Sequence, residues 1–115
     1  MHGYPIELNL NGRTALVVGL GMVGRRKAAG LLAAQARVVG VDPSPESDVP
    51  SEIDLRIEVY RAEHLEGVCL AFASATAEVN ARVVADAKRA GIWVNSASDP
   101  NDGDFNVPAS WILPP

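Results

Sequence analysis

The chain has 115 residues, enough for one domain with its own hydrophobic core and too few for a second catalytic domain. With 48% hydrophobic and 21% charged residues its composition is that of a globular protein, which excludes a disordered, collagen-like or membrane-embedded chain. A net charge of −4 supplies no summed positive field for a phosphate backbone, so nucleic acid is not an expected partner.

In chain order, Met1-His2-Gly3-Tyr4-Pro5 lacks the charged and then apolar pattern of a signal peptide, and a cytoplasmic location is expected. Short β-branched runs then alternate with helical patterns, the arrangement of repeated β-α-β units around a parallel sheet. Strands are expected at residues 14–18, 37–41, 55–60, 68–73 and 92–95. A helix is expected over 22–34, with Val23, Ala28, Leu31 and Leu32 toward one side. A second, over 77–90, turns Val79, Val83, Ala87 and Ala90 inward and Glu78, Arg82, Asp86 and Arg89 outward. Thr76 is its expected N-cap and Gly91 its stop. Three prolines in residues 43–50 make that stretch a surface loop where a third helix would otherwise cross. A short sixth strand is expected at 105–107, ended by Pro108.

The run Val18-Gly19-Leu20-Gly21-Met22-Val23-Gly24 places G-x-G-x-x-G between a strand and a helix, the context that gives this motif its meaning. Gly19 serves a tight turn, Gly21 a close approach of a diphosphate to the backbone, and Gly24 close helix-strand packing. The free N–H groups of the first helical turn, Met22 and Val23 included, then face the phosphate oxygens. Asp42, ending the second strand, is placed to accept hydrogen bonds from the adenosine ribose and to repel a 2′-phosphate, favouring NAD over NADP. As a residue before Pro43 it also suits an ordinary turn. The fold class read from this pattern is α/β, a Rossmann-type doubly wound and mostly parallel sheet of five to six strands, forming a single NAD-binding domain over 1–115.

Arg25-Arg26-Lys27 follows the glycine loop directly, where a bound diphosphate accounts for three consecutive cations. After the fifth strand, Asp99, Asp102 and Asp104 offer carboxylates at the edge where ligands bind in such sheets, although Asp, Asn, Ser, Pro and Gly are also common turn residues. Cys69, the single cysteine, reads as a small buried hydrophobe. His64 has no second histidine nearby and reads as a surface residue, Trp93 as a packing residue and Trp111 as an exposed interface anchor.

Several segments together resemble one family. Tyr4-Pro5-Ile6-Glu7-Leu8-Asn9-Leu10-Asn11-Gly12-Arg13, the glycine loop with Val23 and Arg26-Lys27-Ala28, then Val79-Asn80, Val94-Asn95, Asp99-Pro100 and Phe105-x-x-Pro108-Ala109 are similar to the N-terminal domain of the siroheme synthase family. The resemblance implies an NAD-dependent precorrin-2 dehydrogenase that oxidises precorrin-2 to sirohydrochlorin, some members of the family also inserting ferrous iron. It further implies a homodimer, and a dimerisation segment and helical domain that the residues up to Pro115 do not include. The family's catalytic acid is the first of two acids before the proline. Ser98 stands at that position here and Asp99 follows, so the catalytic candidates are Asp99 and Ser98, with proton removal falling to Asp99 because a hydroxyl has no useful basicity alone. The segment after the fourth strand also departs from the family, reading Ala73-Ser74-Ala75-Thr76 without acids. No resident metal is implied. Alternatives are a regulatory nucleotide-binding module, which shares the loop and Asp42 but lacks the opening and closing segments, and a noncatalytic dimerising remnant.

Overall fold

A computed structural model describes residues 3–108. Five strands, β1 (Thr14–Val18), β2 (Arg37–Val41), β3 (Asp54–Arg56), β4 (Leu70–Ala73) and β5 (Trp93–Ser96), form one sheet in the order β3-β2-β1-β4-β5. All four pairings are parallel. Helix α1 (Met22–Ala33) connects β1 to β2 and helix α2 (Ala77–Ala90) connects β4 to β5. The strand order reverses between β1 and β4, which opens a crevice at their carboxyl ends.

Both faces of the sheet are covered, so its strands are apolar on both sides rather than alternating. On one face Ala15, Val17, Leu70 and Phe72 pack with Ala28 and Leu31 of α1. On the other, Leu16, Val18, Ala71, Ala73 and Val94 pack with Val83, Val84 and Ala87 of α2. Thr76 caps α2 by accepting the Val79 N–H at 3.2 Å, and Gly91 ends it in the left-handed region at φ 73°. Both helix ends are where the sequence places them.

Several local expectations are corrected. The third strand is only three residues long, because Pro43 turns the neighbouring β2 chain away and leaves nothing for residues 57–60 to pair with. Ile57 and Val59 are exposed there, while Tyr60 turns inward and donates to Asp86 Oδ2 at 2.9 Å. Burial and that acceptor both push the Tyr60 phenol well above its usual range. Asp86 is thus half-buried rather than outward, Ala90 is exposed, and Asn80 takes a place on the buried face of α2. His64 is not a surface residue: its ring accepts the Arg61 N–H at Nδ1 (2.9 Å) and meets Glu58 Oε1 from Nε2 at 2.8 Å, stapling the turn that leads to β4. That bond is the main reason the Glu58 carboxyl sits below its usual value. Trp93 lies half-exposed at the start of edge strand β5, opposite Leu70 and at the end of the sheet away from the glycine loop.

No sixth strand forms at 105–107. Instead this segment is stapled to β5 by side chains as well as backbone. Asp104 donates its N–H to the Val94 carbonyl at 2.7 Å and accepts the Val94 N–H at Oδ2 (3.0 Å), and Asn95 Nδ2 donates to the Phe105 carbonyl at 3.1 Å. Phe105 then meets Phe72 edge to face at 5.4 Å. Cys69 is half-buried against the α1-side core. Trp111 lies outside the described residues. Among the described residues no helix is long and apolar enough to cross a membrane.

Candidate functional site

The crevice is built by the turn from β1 into α1. Gly19 sits at φ 90°, where an L side chain is strained, and a Cβ there would lie 2.6 Å from the Ser74 carbonyl oxygen. Gly24 is the closest approach of α1 to the strand: a Cβ would run into the Gly19 carbonyl and come within 2.9 Å of Ser74 Oγ. Ser74, at the end of β4, closes the contact by donating to the Val18 and Gly19 carbonyls at 3.1 and 3.0 Å. Both glycines are therefore explained by the protein itself.

Gly21 is not. Its φ of −71° is open to any residue, and a Cβ on it would meet nothing within 4 Å. It is the N-cap of α1 and carries no capping side chain, and the first turn contains no acid. The N–H groups of Met22 and Val23 belong to a helix start with no intrahelical partner, and both side chains are exposed, at 70% and 45%. Val23 is thus not part of the core face expected of it. An open cradle over Gly21, at the positive end of a helix dipole, fits a diphosphate that needs backbone contact.

Leu20, which the motif leaves unspecified, is what holds the loop. It is fully buried, and it fits only because Gly40 on β2 has no side chain: a Cβ at Gly40 would lie 2.7 Å from Leu20 Cδ1. Burying a leucine completely is worth roughly 1.5–3 kcal/mol. The Leu20 N–H is taken by Asp42 Oδ2 at 2.8 Å, and Asp42 Oδ1 accepts from Ser44 N–H at 2.8 Å. Asp42 therefore makes the turn before Pro43 that one of its readings expects, and it stands beside the glycine loop. A carboxylate offers about four acceptor sites, and these two N–H donors use two of them.

The three consecutive cations separate. Arg25 pairs with Asp48 of the loop after β2, Arg26 is exposed, and Lys27 lines a cleft on the other side of α1. That cleft, about 350 Å³, is bounded by Val23, Lys27, Asn95, Ser96, Pro100 and Val107. Burial, with help from neighbouring Arg26, lowers the Lys27 ammonium below its usual value.

The loop leaving β5 forms the far wall. Asn80, buried on α2, accepts the Ala75 N–H at 2.8 Å and donates to Ser98 Oγ at 2.6 Å, tying the ends of β4 and β5 together. Asp99 accepts the Asn101 N–H at Oδ1 (3.1 Å) and so caps the short turn Pro100–Asp102, and among the described residues Oδ2 takes no such bond. Asp104 is used in the staple to β5, and Asp102 is exposed. Among the described residues no cluster of His, Cys, Asp and Glu is arranged to hold a metal ion.

The model of the NAD(P)-binding family NAD_binding_7 matches residues 6–109. The chain belongs to that family. A nicotinamide dinucleotide is the cofactor class of that family. This NAD(P)-binding domain is 38% identical over 109 residues to siroheme synthase 2 of Aeromonas hydrophila, covering 91% of the chain and 23% of that protein. It is 38% identical over 116 residues to siroheme synthase 1 of Halorhodospira halophila, covering 94% and 24%. The chain thus spans about a quarter of the length of these curated relatives. Among solved structures, SirC, a precorrin-2 dehydrogenase, superposes with a TM-score of 0.74 at 26% identity over 93% of this chain and 55% of its own. D-lactate dehydrogenase from Escherichia coli, at 18% identity and a TM-score of 0.60, shares the fold.

Proposed function

We propose that this domain carries out the NAD-dependent oxidation of precorrin-2 to sirohydrochlorin. The observation that carries the reading is Gly21, a glycine required neither by its backbone angle nor by its neighbours, at an uncapped helix start in a chain similar to siroheme synthases and to a precorrin-2 dehydrogenase. Gly19, Gly21, Met22, Val23 and Gly24 form the diphosphate cradle, and Asp42 takes the ribose hydroxyls and turns away a 2′-phosphate. When bound, NAD⁺ supplies the hydride acceptor.

The chain's own residues then have three tasks. The α1 mouth and Asp42 would hold the nucleotide. Asn80 fixes the Ser98 hydroxyl, and with it the start of the loop that bears Asp99. Asp99 Oδ2 would take the proton that leaves the tetrapyrrole as hydride is lost from it. A homodimer, as the family resemblance implies, and a cytoplasmic location, as the N-terminal sequence suggests, accompany this reading.

Purified chain mixed with precorrin-2 and NAD⁺ should produce NADH absorbance together with the sirohydrochlorin spectrum. NAD⁺ binding without turnover would leave a nucleotide-binding module instead, and no calorimetric heat with NAD⁺ or NADP⁺ would overturn the reading altogether.

A further inference from the structure

The two flanks of α1 treat their cations differently. On the β2 side Arg25 is matched by Asp48. On the β5 side Lys27 is half-buried, and among the described residues it has no ion-pair partner. The residues that line the cleft with it, including Val23, Asn95, Ser96, Pro100 and Val107, carry no acid. A cation withdrawn from water without a partner costs stability, and such a cost persists where a ligand's charge offsets it. The diphosphate is the less fitting anion. It is met by the N–H groups at the helix mouth, whereas Lys27 lies a full turn farther along, below Val23 and beside the end of β5 from which the Asp99 loop departs.

We propose that Lys27 is a substrate-recognition residue whose ammonium pairs with a carboxylate on the rim of the tetrapyrrole, setting the macrocycle against the cleft wall formed by Ser96 and Pro100. This rests on the functional reading above. It gives the cleft a preference for polycarboxylate tetrapyrroles over uncharged macrocycles of the same size. It also sets the substrate anchor across the cleft from Ser96, Ala97 and Pro100, the loop residues that flank the candidate base Asp99 in the chain.

The test uses the full chain and two titrations. Sirohydrochlorin binding in the presence of NAD⁺ is followed by fluorescence, and NAD⁺ binding alone by calorimetry, for the natural protein, Lys27→Met and Lys27→Arg. Loss of one charge-assisted hydrogen bond predicts that Lys27→Met binds sirohydrochlorin about tenfold or more weakly, and that Lys27→Arg recovers most of the loss. NAD⁺ affinity should stay within about twofold in both. If Lys27→Met instead loses NAD⁺ and keeps sirohydrochlorin, the ammonium belongs to the diphosphate and the proposal is overturned. If the natural protein binds both ligands and neither changes, Lys27 alone is dismissed and the reading of the site stands. If the natural protein binds NAD⁺ and no sirohydrochlorin, the substrate assignment falls and takes the proposal with it.

Discussion

Asn80 Nδ2 lies 2.6 Å from Ser98 Oγ, while Asn80 Oδ1 accepts the Ala75 N–H at 2.8 Å, so one buried carboxamide on α2 joins the loops that leave β4 and β5. The side chain is 1% exposed, which leaves no water to replace either bond. Asn80→Ala should therefore cost about 1–3 kcal/mol, the desolvation penalty of an unpaired Ala75 amide, read as a lower urea midpoint at unchanged slope. An unaltered midpoint would mean that the two loops are held by the rest of the sheet.

Two glycines in the same motif should separate binding from folding. Gly21→Ala fits the existing backbone and meets no atom, so the melting temperature should hold while NAD⁺ affinity falls on the order of tenfold or more, about 1.4 kcal/mol per factor of ten. Gly24→Ala has to push α1 off the Gly19 carbonyl and should destabilise the apo protein by about 3 kcal/mol or more. Equal loss of stability in both variants would show that the cradle over Gly21 is closed in solution.

The contrast between these glycines marks how far the sequence could be read. The motif between a strand and a helix, the alternation of strands and helices, Thr76 and Gly91 were all legible, because each depends on neighbours within a few residues. Leu20 was not, since its role needs a gap on β2 made by Gly40, and no local pattern pairs those two positions. Nor was His64, which turns inward only because Glu58 and Arg61 fold back around it. The sixth strand failed for a related reason: Asp104 meets the Val94 backbone at the edge of β5 with its own N–H and its carboxylate, and Asn95 Nδ2 takes the Phe105 carbonyl, so a strand-like sequence at Phe105 was never needed as a strand. Asp99 and Ser98 were legible as loop residues, but only the fold shows that one caps a turn and the other is gripped by α2.

Asp42 both braces Leu20 and stands at the end of β2, and Asp42→Asn separates those duties. An asparagine keeps one acceptor for the Leu20 or Ser44 amide and loses the negative charge. NAD⁺ affinity should drop while the ratio of NADP⁺ to NAD⁺ affinity rises, because a 2′-phosphate no longer meets a carboxylate. A ratio that does not change in side-by-side calorimetry would remove Asp42 from nucleotide selection and leave it as a brace.

At the loop after β5, Asp99→Asn is the cleanest removal of the candidate base. The amide oxygen can still accept from Asn101 N–H and keep the cap, while the basic oxygen is lost. Turnover should fall by about 10²-fold or more, the usual scale of general-base catalysis, with NAD⁺ affinity unchanged. Ser98→Ala should act differently: it removes the shorter of the two hydrogen bonds that Asn80 Nδ2 donates, leaving the one to the Ala75 carbonyl at 3.4 Å, costing about 0.5–1.5 kcal/mol of stability and lowering turnover only through looser positioning. Full turnover in Asp99→Asn would move the proton-accepting role elsewhere in the cleft.

Lys27 should show a trade between stability and ligand recognition. Burial, aided by Arg26, lowers its folded value below the ordinary 10.5, so the unfolded chain binds more protons between the two values. Stability gained from deprotonating Lys27 therefore appears only as pH rises through that alkaline window, and at neutral pH the charged form is a net cost to the fold. Lys27→Met removes the charge and keeps a chain of similar length, so the apo protein should melt slightly higher at pH 7, with the difference shrinking toward pH 10.5. Solvent reaching the half-buried ammonium keeps the effect small, which makes its direction the informative part. A lower melting temperature at pH 7 would mean that the ammonium is stabilised in the folded protein and is not held in reserve for an anion.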